Sequence, residues 1–271
     1  MSDVLTAIIL GVIQGLTEFL PVSSTGHLVI AESVLGVSES DFGLRFDAAI
    51  HLGTLAAVLI YFRTLIFGLV TAWLESLRRR DWRATPESRL AWLLLLGTIP
   101  AGIAGLAIES AVEDTFRSPA LVGLMLILFC IPMIVAERIG SRSRSIESAT
   151  AIDALAIGIA QAVALIPGVS RSGITISTGM VVGFKRDQAA VFAFLLSAPI
   201  IAAAGGKQVF DIIRGEGGGS GLDNELLVYG AGLITAAVVG YAAIYFLVRY
   251  LRTNPLTLFI AYRIGLGVIV L

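Results

Sequence analysis

Charge is scarce in this chain. Of its 271 residues only 14% are Asp, Glu, Lys or Arg, against 56% hydrophobic, and the formal net charge is −1. So little charge cannot cover a water-soluble globule, and the near-neutral balance excludes the clustered positive surface that nucleic-acid binding needs. Cysteine is all but absent: Cys130 stands alone, which excludes an intramolecular disulfide, and its place in the apolar run 121–134 marks a buried, inert thiol. Histidine is nearly as rare, with only His27 and His51. A cleavable signal peptide is not expected. The first apolar run lacks a basic leader and is followed by Gln14 and Glu18 rather than by small residues.

What the chain has in abundance is long hydrophobic runs. A membrane span takes ~20 mainly apolar residues, and six segments qualify: 44–62, 90–108, 119–136, 188–205, 226–248 and 255–271. Two further apolar regions are interrupted. Residues 4–35 are cut by Gln14, Glu18, Pro21 and the run from Ser23 to Gly26; residues 152–182 are cut by Gln161, Pro167 and the run from Ser170 to Gly173. Backbone that leaves a helix at membrane depth must be buried in protein or line a polar cavity, since lipid cannot satisfy its N–H and C=O groups. Both regions therefore read as re-entrant helix pairs.

Thirteen of the nineteen Lys and Arg residues fall on one proposed face: six between Arg63 and Arg89, then Arg138, Arg142, Arg144, Lys185, Arg186, Arg249 and Arg252. By the positive-inside rule that face is cytoplasmic. The other face carries Arg45, Arg117, Lys207 and Arg214 among the acids Glu109, Glu113, Asp114, Glu216, Asp223 and Glu225, and both termini fall outside. The first re-entrant pair then enters from outside and the second from inside, so their tips approach each other. Residues 11–26 align without gaps on 158–173, at an offset of 147, with five identities in sixteen. The predicted fold is an all-α polytopic membrane protein of six transmembrane helices plus two re-entrant helix pairs. It forms an inverted-topology repeat, residues 1–147 and 148–271, with the site at the repeat interface. The glycine-rich stretch 215–221 reads as an outer linker, and residues 65–77 as an interfacial amphipathic helix.

The first motif is Gln14-Gly15-Leu16-Thr17-Glu18-Phe19-Leu20-Pro21-Val22-Ser23-Ser24-Thr25-Gly26-His27. Gln14 and Glu18, four apart, share a helix face. An ionisable group in apolar sequence costs ~2.5–3.5 kcal/mol or more at the bilayer centre, which makes Glu18 a functional candidate. A carboxylate beside an amide oxygen suits Mg²⁺. Ser23, Ser24 and Thr25 lie at the N-terminus of the next half-helix, where free N–H groups and the helix dipole favour an anion. Ser24 and His27 are three apart and can meet on one face, as nucleophile and base or as ligand and general acid. His51, on an ordinary span, reads as structural. The second motif is Pro167-Gly168-Val169-Ser170-Arg171-Ser172-Gly173-Ile174-Thr175. Gly168 and Gly173 allow close backbone approach, the hydroxyls cap a half-helix, and a guanidinium at such a tip suits a buried phosphate. Arg263 also lies in apolar sequence, and its role is open, with Glu18 and a carboxylate near the outer surface as candidate partners.

These motifs resemble the undecaprenyl-diphosphatase family, often called bacitracin-resistance proteins. The family's (E/Q)xxxE element matches Gln14 to Glu18, its PVSSTGH run matches Pro21 to His27, and its PGxSRSxxT element matches Pro167 to Thr175; many members carry Glu at the position of Gln14. The resemblance covers the whole chain. It implies hydrolysis of a polyprenyl diphosphate lipid to the monophosphate, assisted by Mg²⁺ or Ca²⁺, at an outward-facing site in the plasma membrane, and it leaves a homodimer open. By match, Glu18, Ser24, His27 and Arg171 are the catalytic set. Ser23, Thr25, Gly168, Ser170, Ser172, Gly173 and Thr175 bind substrate, and Gln14 joins Glu18 at the metal. The rival reading is a lipid flippase or secondary transporter, which also uses inverted repeats with broken helices. An ion channel is disfavoured, because facing Arg and Glu would block a pore.

Overall fold

The computed structural model describes residues 2–37, 42, 44–115, 118–214 and 224–271. The stretch 215–221 and the charges Arg117, Glu216 and Asp223 lie outside the described residues, as do the side chains of Arg45, Glu109, Glu113 and Asp114. Among the described residues the structure is helical throughout, apart from one isolated bridge between Arg144 and Phe184. In chain order the helices are α1 (Asp3–Phe19), α2 (Ser24–Leu35), α3 (Leu44–Tyr61), α4 (Arg63–Arg79), α5 (Pro86–Thr115), α6 (Pro119–Leu128) and α7 (Cys130–Ile139). They continue with α8 (Ala151–Val163), α9 (Arg171–Val181), α10 (Arg186–Ile213), α11 (Glu225–Tyr250) and α12 (Thr257–Val270).

Local chemistry sets many of the boundaries. Ser118 caps α6 by accepting from the Leu121 N–H at 3.2 Å, with Pro119 just inside the helix. Thr150 and Asp153 close a capping box on α8. The apolar run from 119 breaks at Phe129, because Pro132 has no N–H for the carbonyl of Leu128. Cys130 is buried there and its thiol donates to the Leu126 carbonyl.

Among the described residues four helical stretches are long and apolar enough to cross a membrane: Pro86–Ala107, Pro119–Ile139, Arg186–Lys207 and Glu225–Tyr250. A fifth arises if α3 and α4, bent by 82° at Phe62, count as one. Only 33% to 56% of the residues in the most apolar part of each of these four stretches is buried, while Leu106, Ile152, Val238 and Ile269 are exposed. Apolar side chains exposed along helices of this length need lipid as their solvent, so the chain is a multi-pass membrane protein. Two of the six expected spans come out shorter. The segment at 255–271 is a helix of 14 residues, since Pro255 cannot donate and the Leu256 N–H goes to the Glu137 carboxylate at 2.8 Å. The segment at 44–62 is a helix of 18 residues that gives way to α4.

The helices that carry the two motifs are shorter still: 17 residues in α1, 12 in α2, 13 in α8 and 11 in α9. The first helix of each pair packs on a long helix from the other half of the chain, α1 on α11 and α8 on α5. Glycine makes both approaches close enough. A Cβ on Gly11 would stand 2.7 Å from the Gly232 carbonyl oxygen, and one on Gly158 would collide with that of Gly97. This crossed packing brings the α1–α2 turn against the α8–α9 turn.

Candidate active site

The two turns are built alike. Ser23 and Ser170, 147 residues apart, both hold positive φ, at 78° and 75°. Each accepts a bond on its Oγ from the N–H three residues on, Gly26 at 3.4 Å and Gly173 at 3.2 Å. Left-handed serines are strained, and each is held there by capping the half-helix that follows it. Ser172 Oγ donates across the junction to the Leu20 carbonyl at 2.9 Å, so the tips are in direct contact.

At that junction Glu18 is 7% exposed. Its Oε1 meets Arg171 Nη2 at 3.0 Å, and its Oε2 accepts from Ser24 Oγ at 2.7 Å and from Gln14 Nε2 at 3.1 Å. A buried carboxylate needs such partners, because an unpaired charge there would cost several kcal/mol. The donors do not use up the site. Arg171 Nη1 and Gln14 Oε1 are both buried with no protein partner, one a cationic donor and the other an acceptor.

The junction of the two turns brings together what phosphoryl transfer asks for: a hydroxyl bonded to a carboxylate, a guanidinium beside them and two helix N-termini. The family model for bacitracin resistance protein BacA matches residues 7–269. The chain belongs to the BacA family. Undecaprenyl-diphosphatase of Rubrobacter xylanophilus is 43% identical over 100% of this chain and 98% of its own length. Undecaprenyl-diphosphatase 2 of Stutzerimonas stutzeri is 42% identical over 99% and 97%, and undecaprenyl-diphosphatase of Myxococcus xanthus 43% over 99% and 88%.

Ser24 does not bond to His27, as the three-residue spacing suggested; its hydroxyl is turned to Glu18. His27 Nδ1 lies 2.7 Å from the Ser23 carbonyl, which can only accept, so Nδ1 carries the proton. Its Nε2 lies 2.7 Å from Tyr262 Oη, with the two rings stacked at 5.6 Å. Other expected substrate contacts are spent within the protein: Thr175 Oγ1 donates to the Arg171 carbonyl at 2.7 Å, and Ser170 and Ser172 bond to each other at 3.3 Å. Thr25 is exposed in the first turn of α2. Gly168, at φ 91°, gives its carbonyl to Arg263.

Among the described residues Arg263 pairs with neither Glu18 nor any other carboxylate. It is fully buried and donates to the carbonyls of Leu126, Met125 and Gly168 at 3.2, 3.4 and 3.0 Å. It thereby ties the α8–α9 turn to the end of α6. His51, read as structural, stands at the site: Nδ1 binds the Asp47 carbonyl at 2.7 Å and Nε2 lies 4.0 Å from Glu18 Oε2. No motif spacing links His51 or Tyr262 to the first turn. The one available signal was the rarity of histidine in so apolar a chain.

Proposed function

We propose that the chain hydrolyses undecaprenyl diphosphate, a polyprenyl diphosphate lipid, to the monophosphate and inorganic phosphate, recycling a carrier lipid for cell-envelope glycan assembly. The observation that carries the mechanism is the 2.7 Å bond from Ser24 to Glu18, with Arg171 on the same carboxylate. Ser24 Oγ attacks the terminal phosphorus while Glu18 accepts its proton. The bond from that phosphorus to the bridging oxygen breaks, and undecaprenyl phosphate leaves with the electron pair. Water then frees phosphate from Ser24. Arg171 Nη1 and the amides at the starts of α2 and α9 hold the terminal phosphate, supplying the electrostatic stabilisation on which such transfers chiefly depend. His27 moves a proton on the substrate side once a phosphate oxygen displaces Tyr262.

The residues fit the divalent cation, Mg²⁺ or Ca²⁺, that the family resemblance implies. Gln14 Oε1 is buried and unpartnered next to a carboxylate, and hard cations take oxygen donors while sharing substrate phosphates. Gln14 and Glu18 would hold it, and once bound it would offset phosphate charge.

The finer architecture belongs to the same reading: six spans and two re-entrant pairs, in two inverted repeats split at 147/148, with the site and both termini facing outside in the plasma membrane. Equal backbone angles at Ser23 and Ser170, the crossed packing of α1 and α8, and four helices too short to span support it. A lipid carrier could share that geometry, but it leaves the hydroxyl–carboxylate pair without a purpose. The deciding experiment is phosphate release from undecaprenyl diphosphate by purified protein in detergent, with and without Mg²⁺. Wild type should release phosphate and Arg171→Ala nearly none. Binding without cleavage by folded wild type would make the chain a carrier.

A further inference from the structure

Beyond the polar junction, a cavity of about 370 Å³ lies among α3, α4, α5 and α10. Its walls are almost wholly apolar and include Leu55, Leu59, Trp73, Leu94, Leu195 and Ala198. Helices α3 and α5 each pack on α10, which forms the back wall, and α4, set at 82° to α3, crosses at its end. The volume falls in the range of ~300–1,000 Å³ seen for pockets that hold small organic ligands.

Two connections join the cavity to the site. His51, Leu55 and Leu59 recur every four residues on α3, so they form one strip along the helix. The strip is partly exposed from His51 through Leu59, while Thr54, Ala57 and Val58 face the protein core. His51 stands 4.0 Å from Glu18, and at ~1.5 Å per residue Leu55 lies roughly 6 Å further along the axis. On the other side, Phe19, next to Glu18 in sequence, meets Phe194 edge to face at 5.3 Å, and Leu195 lines the cavity. One end of this path is charged and the other is purely apolar, which matches a ligand with an anionic head and a hydrocarbon tail.

We infer that the cavity among α3, α4, α5 and α10 holds the prenyl tail from its second isoprene unit onward, guided there along the His51–Leu55–Leu59 strip. The inference rests on the diphosphatase reading. Burial of each isoprene unit there favours long-chain substrates through the hydrophobic effect, so chain-length preference is set in this cavity. A C5 substrate, dimethylallyl diphosphate, ends short of it.

The test compares kcat/KM for undecaprenyl and dimethylallyl diphosphate in wild type and in Ala198→Trp, which fills the cavity. The ratio of the two should fall ~10-fold or more, since each buried CH₂ is worth ~0.8 kcal/mol. An unchanged ratio overturns the inference, even if both rates drop. Wild-type protein supplies a second arm that needs no variant: photolysis of a polyprenyl diphosphate carrying a diazirine in its second isoprene unit. Labelling of α3, α4, α5 or α10 residues in the cavity, displaced by undecaprenyl diphosphate but not by excess phosphatidylglycerol, supports it. Labelling elsewhere, or displacement by phosphatidylglycerol alike, overturns it. Absence of phosphate release from either substrate would count against the diphosphatase reading, and the labelling arm would then judge the cavity alone.

Discussion

The two turns that meet at the site share a backbone and differ in almost every reactive side chain. Positions 147 apart carry Ser23 and Ser170 at the same positive φ, and Gly26 and Gly173 at the same capping bond. Yet Ser24 corresponds to Arg171, His27 to Ile174 and Glu18 to Leu165. Gln14 and Gln161 are the informative pair. The first bonds to Glu18, whereas the second has both amide atoms buried without a partner. The comparison teaches that the frame is duplicated and the chemistry is not. One turn supplies acid and hydroxyl, the other a cation, and only their junction is a complete site.

Six substitutions put that asymmetry at risk. The largest effect should come from Glu18→Gln, which removes the proton acceptor of Ser24; general-base loss costs ~10²–10⁴-fold, read as kcat for phosphate release in protein that still elutes as a folded species. Turnover within tenfold of wild type would remove Glu18 from the role of base. Arg171→Lys keeps the charge but loses the planar fork, so a drop of ~10–100-fold is expected, with salt unable to restore it. A near-normal rate would mean that the second turn contributes charge alone. Gly158→Ala tests the frame rather than the chemistry. A methyl between α8 and α5 should lower stability by ~1–3 kcal/mol, seen in thermal unfolding, and Gly11→Ala should do the same on the opposite face. If only one of the two matters, the crossed packing is not equivalent. The smallest effect is expected from Gln161→Leu. Replacing an unsatisfied amide by an apolar group of similar shape is nearly neutral or stabilising, so Tm should hold or rise and activity should persist, while Gln14→Leu should lose activity. Equal losses at both glutamines would break the comparison.

Much of this was legible in the sequence because the membrane leaves a chain few options. Hydrophobic runs, interrupted twice by Pro, Gly and polar residues, announce helices and the places where they fail. Glu18 and Arg171 stand out because charge in such runs is costly and rare. Their meeting was inferred from charge placement and the repeat, and the structure joins them at 3.0 Å. Side-chain choices among neighbours were not legible. Spacing allowed Ser24 to face His27, but α2 begins in a turn held by Ser23, and that turn presents the hydroxyl to Glu18. Likewise the sequence leaves the partner of Arg263 open, and backbone carbonyls freed at the end of α6 and in the α8–α9 turn hold its Nε and Nη2.

By itself, then, the sequence determined the solvent, the helical class, the two turns and the identity of the acid, hydroxyl and cation, since each follows from composition and local pattern. Tertiary structure alone decided that His51 and Tyr262 stand at the site, that Tyr262 holds His27, and that α3, α4, α5 and α10 enclose an apolar cavity. Those relations join residues far apart along the chain, as in the pairing of His27 with Tyr262. No local periodicity encodes them, because they arise only when α1 packs on α11, α8 packs on α5, and the two turns are pressed together.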